Sequence, residues 1–168
     1  MKLLLENWRK YLKEEDNLEQ NIYSFDFDNT LIRYHTLEDG DVEYLGPHDK
    51  YINILRQLAD DGHKVVIVTS RSPLKGNKPP WDDAPTPEEL VADLNLPVEI
   101  IEYTRGNLKT QMLLKLGVSH HWDDDQEEVD AAIEAGLRAT KVPVPGEETQ
   151  RLRAKWSNHL ANTKDETN

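Results

Sequence analysis

The chain has 168 residues, no cysteine and a formal net charge of −12. That length supports one well-buried core and is short for two independent domains, and the missing cysteine removes any disulfide framework or thiolate metal site and fits a reducing compartment. The acidic balance disfavours charge-driven wrapping of nucleic acid, because phosphate backbones are bound by counterion release to Lys and Arg, but it leaves room for a local basic pocket.

In chain order, residues 2–14 place Leu4, Leu5, Trp8, Tyr11 and Leu12 on one helical stripe with charges opposite, which predicts an amphipathic helix over 1–16. Its run of three leucines is too short for a secretory signal. Packing on its own domain and a homodimer or partner contact both remain open for it, and its mixed charge makes a membrane the poorest partner. The segments 21–27, 64–70, 98–103, 119–123 and 139–144 read as strands, the second being the most apolar and so the most buried. Its run "VVIV" at 65–68 is far below the ~20 residues of a membrane span, so a soluble, cytoplasmic protein is expected. Helical patterns alternate with these strands. Tyr51, Ile54, Leu55 and Leu58 share a stripe between Pro47 and Gly62; "TPEELVADLNLP" opens with a Thr86 to Glu89 capping box and Pro87 at the first helical position; "NLKTQMLLKLG" and "EEVDAAIEAG" each stop at a glycine. Strand and helix in alternation predict an α/β fold, a Rossmann-like doubly wound parallel sheet of about five strands, over a domain spanning 17–146. Residues 147–168 read as one more helix to about Leu160 followed by a polar tail.

In such sheets ligands sit at the carboxyl ends of the strands, where strand order reverses. The polar residues at those ends are Asp26 and Asp28, then Thr69, Ser70 and Arg71, then Asp123, Asp124 and Asp125. Two aspartates two positions apart in a strand face the same side, and their repulsion calls for a cation or a shared proton. Magnesium suits them, because it prefers oxygen ligands and is commonly held by one or two carboxylates plus a substrate phosphate. One carboxylate can then attack phosphorus while the other moves a proton.

The segment "DFDNT" resembles the first motif, D-x-D-x-T, of the haloacid dehalogenase (HAD) superfamily of phosphohydrolases. "VVIVTSR" resembles the second motif, with Thr69 at its end; Lys109 in "NLKTQ" matches the third; and "HHWDDDQEEVDAAIEAG" is similar to the fourth, with Asp124 and Glu128 at its two acidic positions. The resemblance covers about 21–142. It implies that Asp26 attacks the phosphoryl group, that Asp28 protonates the leaving oxygen and then activates water, and that Thr69 holds phosphoryl oxygens. Lys109 would neutralise developing charge, and Asp26, the carbonyl of Asp28 and Asp124 would ligate Mg2+, with Asp123 a further candidate. Ser70 and Arg71 extend the phosphate-binding set, although Arg71 reads more readily as a surface or substrate-side charge than as a catalytic residue. A dehalogenase reading is weaker, since those relatives lack the second aspartate that Asp28 supplies. "TSR" together with the double aspartate resembles the phosphatase half of polynucleotide kinase-phosphatases, which implies a nucleotide or nucleic-acid end as substrate.

Each feature also has a plainer reading. Asp28, Asn29 and Thr30 suit a turn; Thr69 and Ser70 suit a strand end; Lys109 competes with Lys64, Lys75, Lys78, Arg105 and Lys115; and the acidic run at 123–128 suits a helix start. A non-catalytic module of the same fold, or a phosphatase of small metabolites, therefore stays open beside the nucleotide reading. His120 and His121 are adjacent in a strand and face opposite sides, which argues against a shared zinc and leaves at least one exposed. Between Asp28 and Thr69 the chain has room for a small hairpin around Asp39 and Gly40, and 72–97 for a proline-rich loop and one helix, so no large cap domain is expected. Lys75, Lys78 and Trp81 in that loop form a basic and aromatic mix suited to a nucleotide, or to a rigid surface loop.

Overall fold

The computed structural model describes residues 20–37, 39, 41–73 and 84–144, together with 150, 154, 155, 157, 158 and 161. The helix expected over 1–16, the tail beyond 161 and the loop residues Lys75, Lys78 and Trp81 lie outside the described residues.

The elements run β1 (Ile22–Phe25), β2 (Ile32–Thr36), β3 (Val42–Pro47), α1 (Asp49–Asp60), β4 (Lys64–Thr69), α2 (Pro87–Asp93), β5 (Ile100–Tyr103), α3 (Thr110–Leu116), β6 (His120–Asp123), α4 (Gln126–Glu134) and β7 (Arg138–Lys141). Five strands pair in parallel in the order β5-β4-β1-β6-β7. The chain builds outward from β1 through β4 to β5, then returns to β6 on the other side of β1. The carboxyl end of β1 is therefore the switch point where an open α/β sheet forms its crevice.

Alternation along β4 explains why the sheet is covered twice. Val65 and Ile67 pack into one core with Phe25, Tyr51, Ile52, Leu55 and Leu90, on the side of α1 and α2. Val66 and Val68 point the other way, to Leu113 of α3 and Ala132 of α4. A strand that buries both faces needs an apolar stretch, which residues 65–68 supply. Local signals end the helices where expected. Thr86 Oγ1 accepts from the Glu89 amide at 3.1 Å, and Glu89 Oε2 accepts from the Thr86 amide at 2.8 Å, closing the capping box of α2. Gly117, at φ 70°, supplies the left-handed residue that terminates α3.

β2 and β3 form a separate antiparallel hairpin, with Tyr34 and Val42 turned inward and Arg33, His35 and Glu43 outward. The amide of Leu37 donates to the Asp41 carbonyl at 2.7 Å to close its tip. Among the described residues this hairpin is all that stands between β1 and α1, and no cap domain is present. The described residues from 154 to 161 are helical, and Lys155 Nζ lies 3.9 Å from Asp41 of the hairpin.

One expectation needs correcting. β1 stops at Phe25, so Asp26 and Asp28 do not share a strand face. Both lie just beyond the strand, in a turn where the amides of Thr30, Leu31 and Ile32 converge on the Phe27 carbonyl at 3.3, 2.9 and 3.2 Å. Asn29 takes φ 57° there, a conformation asparagine tolerates better than most residues.

Candidate active site

Asp26 follows β1 directly, and its amide still donates to the Trp122 carbonyl of β6 at 2.9 Å. Its carboxylate is thereby held over the neighbouring strand end, where Asp123 closes β6. Lys109, entering from the start of α3, joins the two: Nζ donates to Asp26 Oδ1 at 2.8 Å and to Asp123 Oδ2 at 2.6 Å. Lys109 is only 2 % exposed, whereas Lys64 is half-buried and Arg105 and Lys115 are exposed. One carboxylate oxygen each from Asp26, Asp123 and Asp124 lie within 4.8 Å of one another.

Asp123 is saturated with hydrogen bonds. Besides Lys109, His121 Nε2 meets Oδ2 at 2.9 Å, and the Asp125 amide donates to Oδ1 at 2.9 Å. His121 Nδ1 in turn lies 2.6 Å from the hydroxyl of Ser24, its cross-strand partner. Burial lowers the pKa of His121 against the pull of Asp123, which favours the neutral imidazole at neutral pH. An ionised carboxylate only accepts, so Nε2 carries the proton and Nδ1 accepts from Ser24. Ser24, His121 and Asp123 are each 0 % exposed, so this array cannot present Ser24 to a substrate. Its effect is to hold Asp123 in place.

The charges are unequally relieved. Burial drives the Asp26 carboxyl well above the usual carboxylate range; Lys109 opposes this, while Asp123, Asp124 and Asp28 add to it. Burial would also raise Asp123, but Lys109 and His121 hold it far below its ordinary value. For Lys109 burial works against the charge, and Asp123, Asp26 and Glu128 together outweigh it, so the ammonium is kept. Glu128, whose Oε2 accepts from the Lys109 amide at 3.0 Å, is raised by burial. The excess of negative charge at Asp26 is the feature a divalent cation would offset. Asp26 Oδ2 has no hydrogen-bond partner among the described residues, whereas both oxygens of Asp123 are engaged, so Asp26 fits an oxygen-preferring ion better than Asp123 does.

Asp28 is served by a different cation. Arg71, two residues past β4, grips both its oxygens, at 2.9 Å from Nε and 2.6 Å from Nη2. The expectation of Arg71 as a surface charge is corrected by its 1 % exposure. Burial opposes its charge, and Asp28 more than restores it. Thr69 is fully buried at the end of β4, where its Oγ1 accepts from the Arg71 amide at 3.3 Å, and Ser70 is half-buried beside it. Asp124 is buried, and Lys141 Nζ donates to its carbonyl. His120 and His121 do face opposite ways, but neither is fully exposed: His120 is half-buried, stacked on Trp122 at 4.2 Å and 2.7 Å from the Thr140 hydroxyl. Sequence reasoning missed Ser24, Tyr34 and the role of His121. Spacing alone could have flagged His121, since it lies two residues before Asp123 and so on the same strand face.

No protein-family model matches the chain, and no curated protein matches it. Among solved structures, it is similar to a hypothetical protein from Xanthomonas campestris, at 22% identity and a TM-score of 0.45 over 88% of this chain and 86% of that one. It is similar to a candidate 3-deoxy-D-manno-octulosonate 8-phosphate phosphatase from Vibrio cholerae, at 14% identity and 0.46 over 86% of each chain. A third likeness is to a candidate HAD superfamily (subfamily III A) hydrolase from Legionella pneumophila, at 16% identity and 0.46 over 93% of this chain and 97% of that one. These likenesses are distant.

Proposed function

We propose that this chain is a phosphomonoester hydrolase that forms a covalent aspartyl-phosphate on Asp26. The observation that carries the reading is the buried bridge at the sheet's switch point. Lys109 Nζ joins Asp26 to Asp123 at 2.8 and 2.6 Å, with Asp124 within 4.8 Å and Asp28 two residues on in the same turn. A carboxylate desolvated beside an ammonium is oriented for attack, and the ammonium faces the charge that builds on the transferring phosphoryl group.

In the first step an Asp26 oxygen bonds to phosphorus, the bond from phosphorus to the ester oxygen breaks, and Asp28 gives that oxygen a proton. In the second, Asp28 takes a proton from water as its oxygen attacks the same phosphorus, releasing phosphate and restoring the Asp26 carboxylate. Thr69 and the amides following Asp26 would hold phosphoryl oxygens, and Lys109 would stabilise both transfers. Asp26, the Asp28 carbonyl and Asp124 would hold Mg2+, which when bound supplies positive charge to the phosphoryl oxygens.

The small hairpin in place of a cap suits a substrate larger than a simple metabolite, and the motif likeness to polynucleotide kinase-phosphatases supports a nucleotide or a nucleic-acid end. Small phosphorylated metabolites are the alternative. The test is a phosphate panel with Mg2+ that includes an aryl phosphate, nucleotides and 3'-phosphorylated oligonucleotides. Turnover is expected, with Asp26→Asn folded but reduced to background. A wild-type protein that hydrolyses nothing in the panel, or an Asp26→Asn protein with unchanged activity, would overturn the reading.

A further inference from the structure

The two aspartates of the turn are held by separate cations, and the hold on Asp28 is the more rigid. Arg71 Nε and Nη2 meet its two oxygens side by side, the planar fork that a lysine cannot make. The fork is itself fixed. Nη2 also donates to the Tyr34 hydroxyl at 2.8 Å, Nη1 donates to the Pro85 carbonyl at 3.2 Å, and the guanidinium carbon lies 4.7 Å from the centre of the Phe27 ring. The Arg71 side chain is 1 % exposed, while that of Asp28 keeps 14 %. Arg71 thus lies inside the protein and spends its donors there, while Asp28 shows solvent the rest of its carboxyl group.

Proton transfer to a leaving oxygen needs a carboxyl oxygen within about 2.6–3.2 Å of it. A misplacement of about 1 Å can cost on the order of a hundredfold. Resting on the phosphatase reading above, we propose that Arg71 and Tyr34 are a positioning pair that aims the Asp28 carboxyl group at the leaving-group oxygen, and that Arg71 does not bind the substrate phosphate. The hairpin acquires a role through this arrangement: Tyr34 of β2 links it to the proton-transfer residue.

The test compares kcat/KM for two esters with Mg2+ present, p-nitrophenyl phosphate, whose leaving group departs with little need of a proton, and an alkyl phosphate, whose alkoxide must be protonated. The parameter kcat/KM reports phosphoryl transfer even if breakdown of the intermediate limits kcat. Asp28→Asn sets the scale, with a selective loss on the alkyl ester of about a hundredfold or more. Arg71→Lys, which keeps the charge but not the fork, should lose about tenfold more on the alkyl ester than on the aryl ester, with inhibition by inorganic phosphate unchanged. Tyr34→Phe removes one hydroxyl and should show the same selectivity several-fold, so it decides the matter alone if Arg71→Lys does not fold. Equal losses on both esters in the folded variants, or no loss, would overturn the positioning role. A rise in the inhibition constant for phosphate in Arg71→Lys would overturn it too. If the wild-type protein hydrolyses neither ester, the phosphatase reading falls and takes this proposal with it; if Asp28→Asn is selective and the Arg71 and Tyr34 variants are not, only the positioning role falls.

Discussion

Lys109→Met keeps the length of the side chain and removes the ammonium that Asp26 and Asp123 share. Lys109 and Asp123 are almost completely buried, and the two contacts measure 2.8 and 2.6 Å. Breaking a buried ion pair from one side costs about 3–5 kcal/mol, because it strands the partner charge. Asp123 retains His121 and the Asp125 amide, each at 2.9 Å, and Asp26 can take a proton, so the lower end, about 3 kcal/mol, is expected. For a chain of this size each kcal/mol moves Tm by about 2–4 °C, which gives a loss of about 6–12 °C at neutral pH. The sign of the pH dependence follows from Asp26. Its folded pKa is already raised and rises further without Lys109, so the Asp26 share of the penalty is absent at low pH and grows as pH climbs through that raised value, whereas the Asp123 share persists because that carboxylate stays ionised. Thermal unfolding followed by circular dichroism at several pH values, beside kcat/KM for an aryl phosphate, makes the measurement. A Tm within about 2 °C of wild type at neutral pH would show that the bridge does not hold the site together.

Other outcomes follow from the same geometry. Mg2+ should raise Tm, by the equivalent of about 2.7 kcal/mol at a concentration a hundred times its Kd, and a chelator should abolish turnover; Asp124→Asn should shift the Tm titration to higher Mg2+, and an unshifted curve would remove Asp124 from the ligand set. Burial lowers the pKa of His121, so its contribution to stability is present above the ordinary histidine value of 6.5 and is lost as pH falls from there through the lowered folded value. His121→Asn should therefore flatten the loss of urea resistance between neutral and mildly acid pH, and an unchanged slope would mean His121 is not what titrates there. Thr86→Ala opens the capping box of α2 and should lower stability by about 1 kcal/mol in urea unfolding; an unchanged urea midpoint would show that the box does not hold the helix start.

Much of this architecture follows from local chemistry and so was readable along the chain. The apolar run of β4 demands burial on two faces, the Thr86 box starts α2, and Gly117 stops α3 because it tolerates a left-handed backbone. Those short-range signals give alternating strands and helices, and the alternation gives a parallel sheet whose strand ends carry Asp26, Thr69 and Asp123. The same alternation cannot say which charges will meet. Arg71 and Asp28 are 43 positions apart, and Ser24 and His121 are 97 apart. Both pairs exist because β4 and β6 flank β1, a strand order that no side-chain pattern encodes. Tertiary structure alone decided that the two aspartates of "DFDNT" would be divided between two cations. The reason is geometric: the strand ends at Phe25, and the turn beyond it sends one carboxylate toward β6 and the other toward the end of β4.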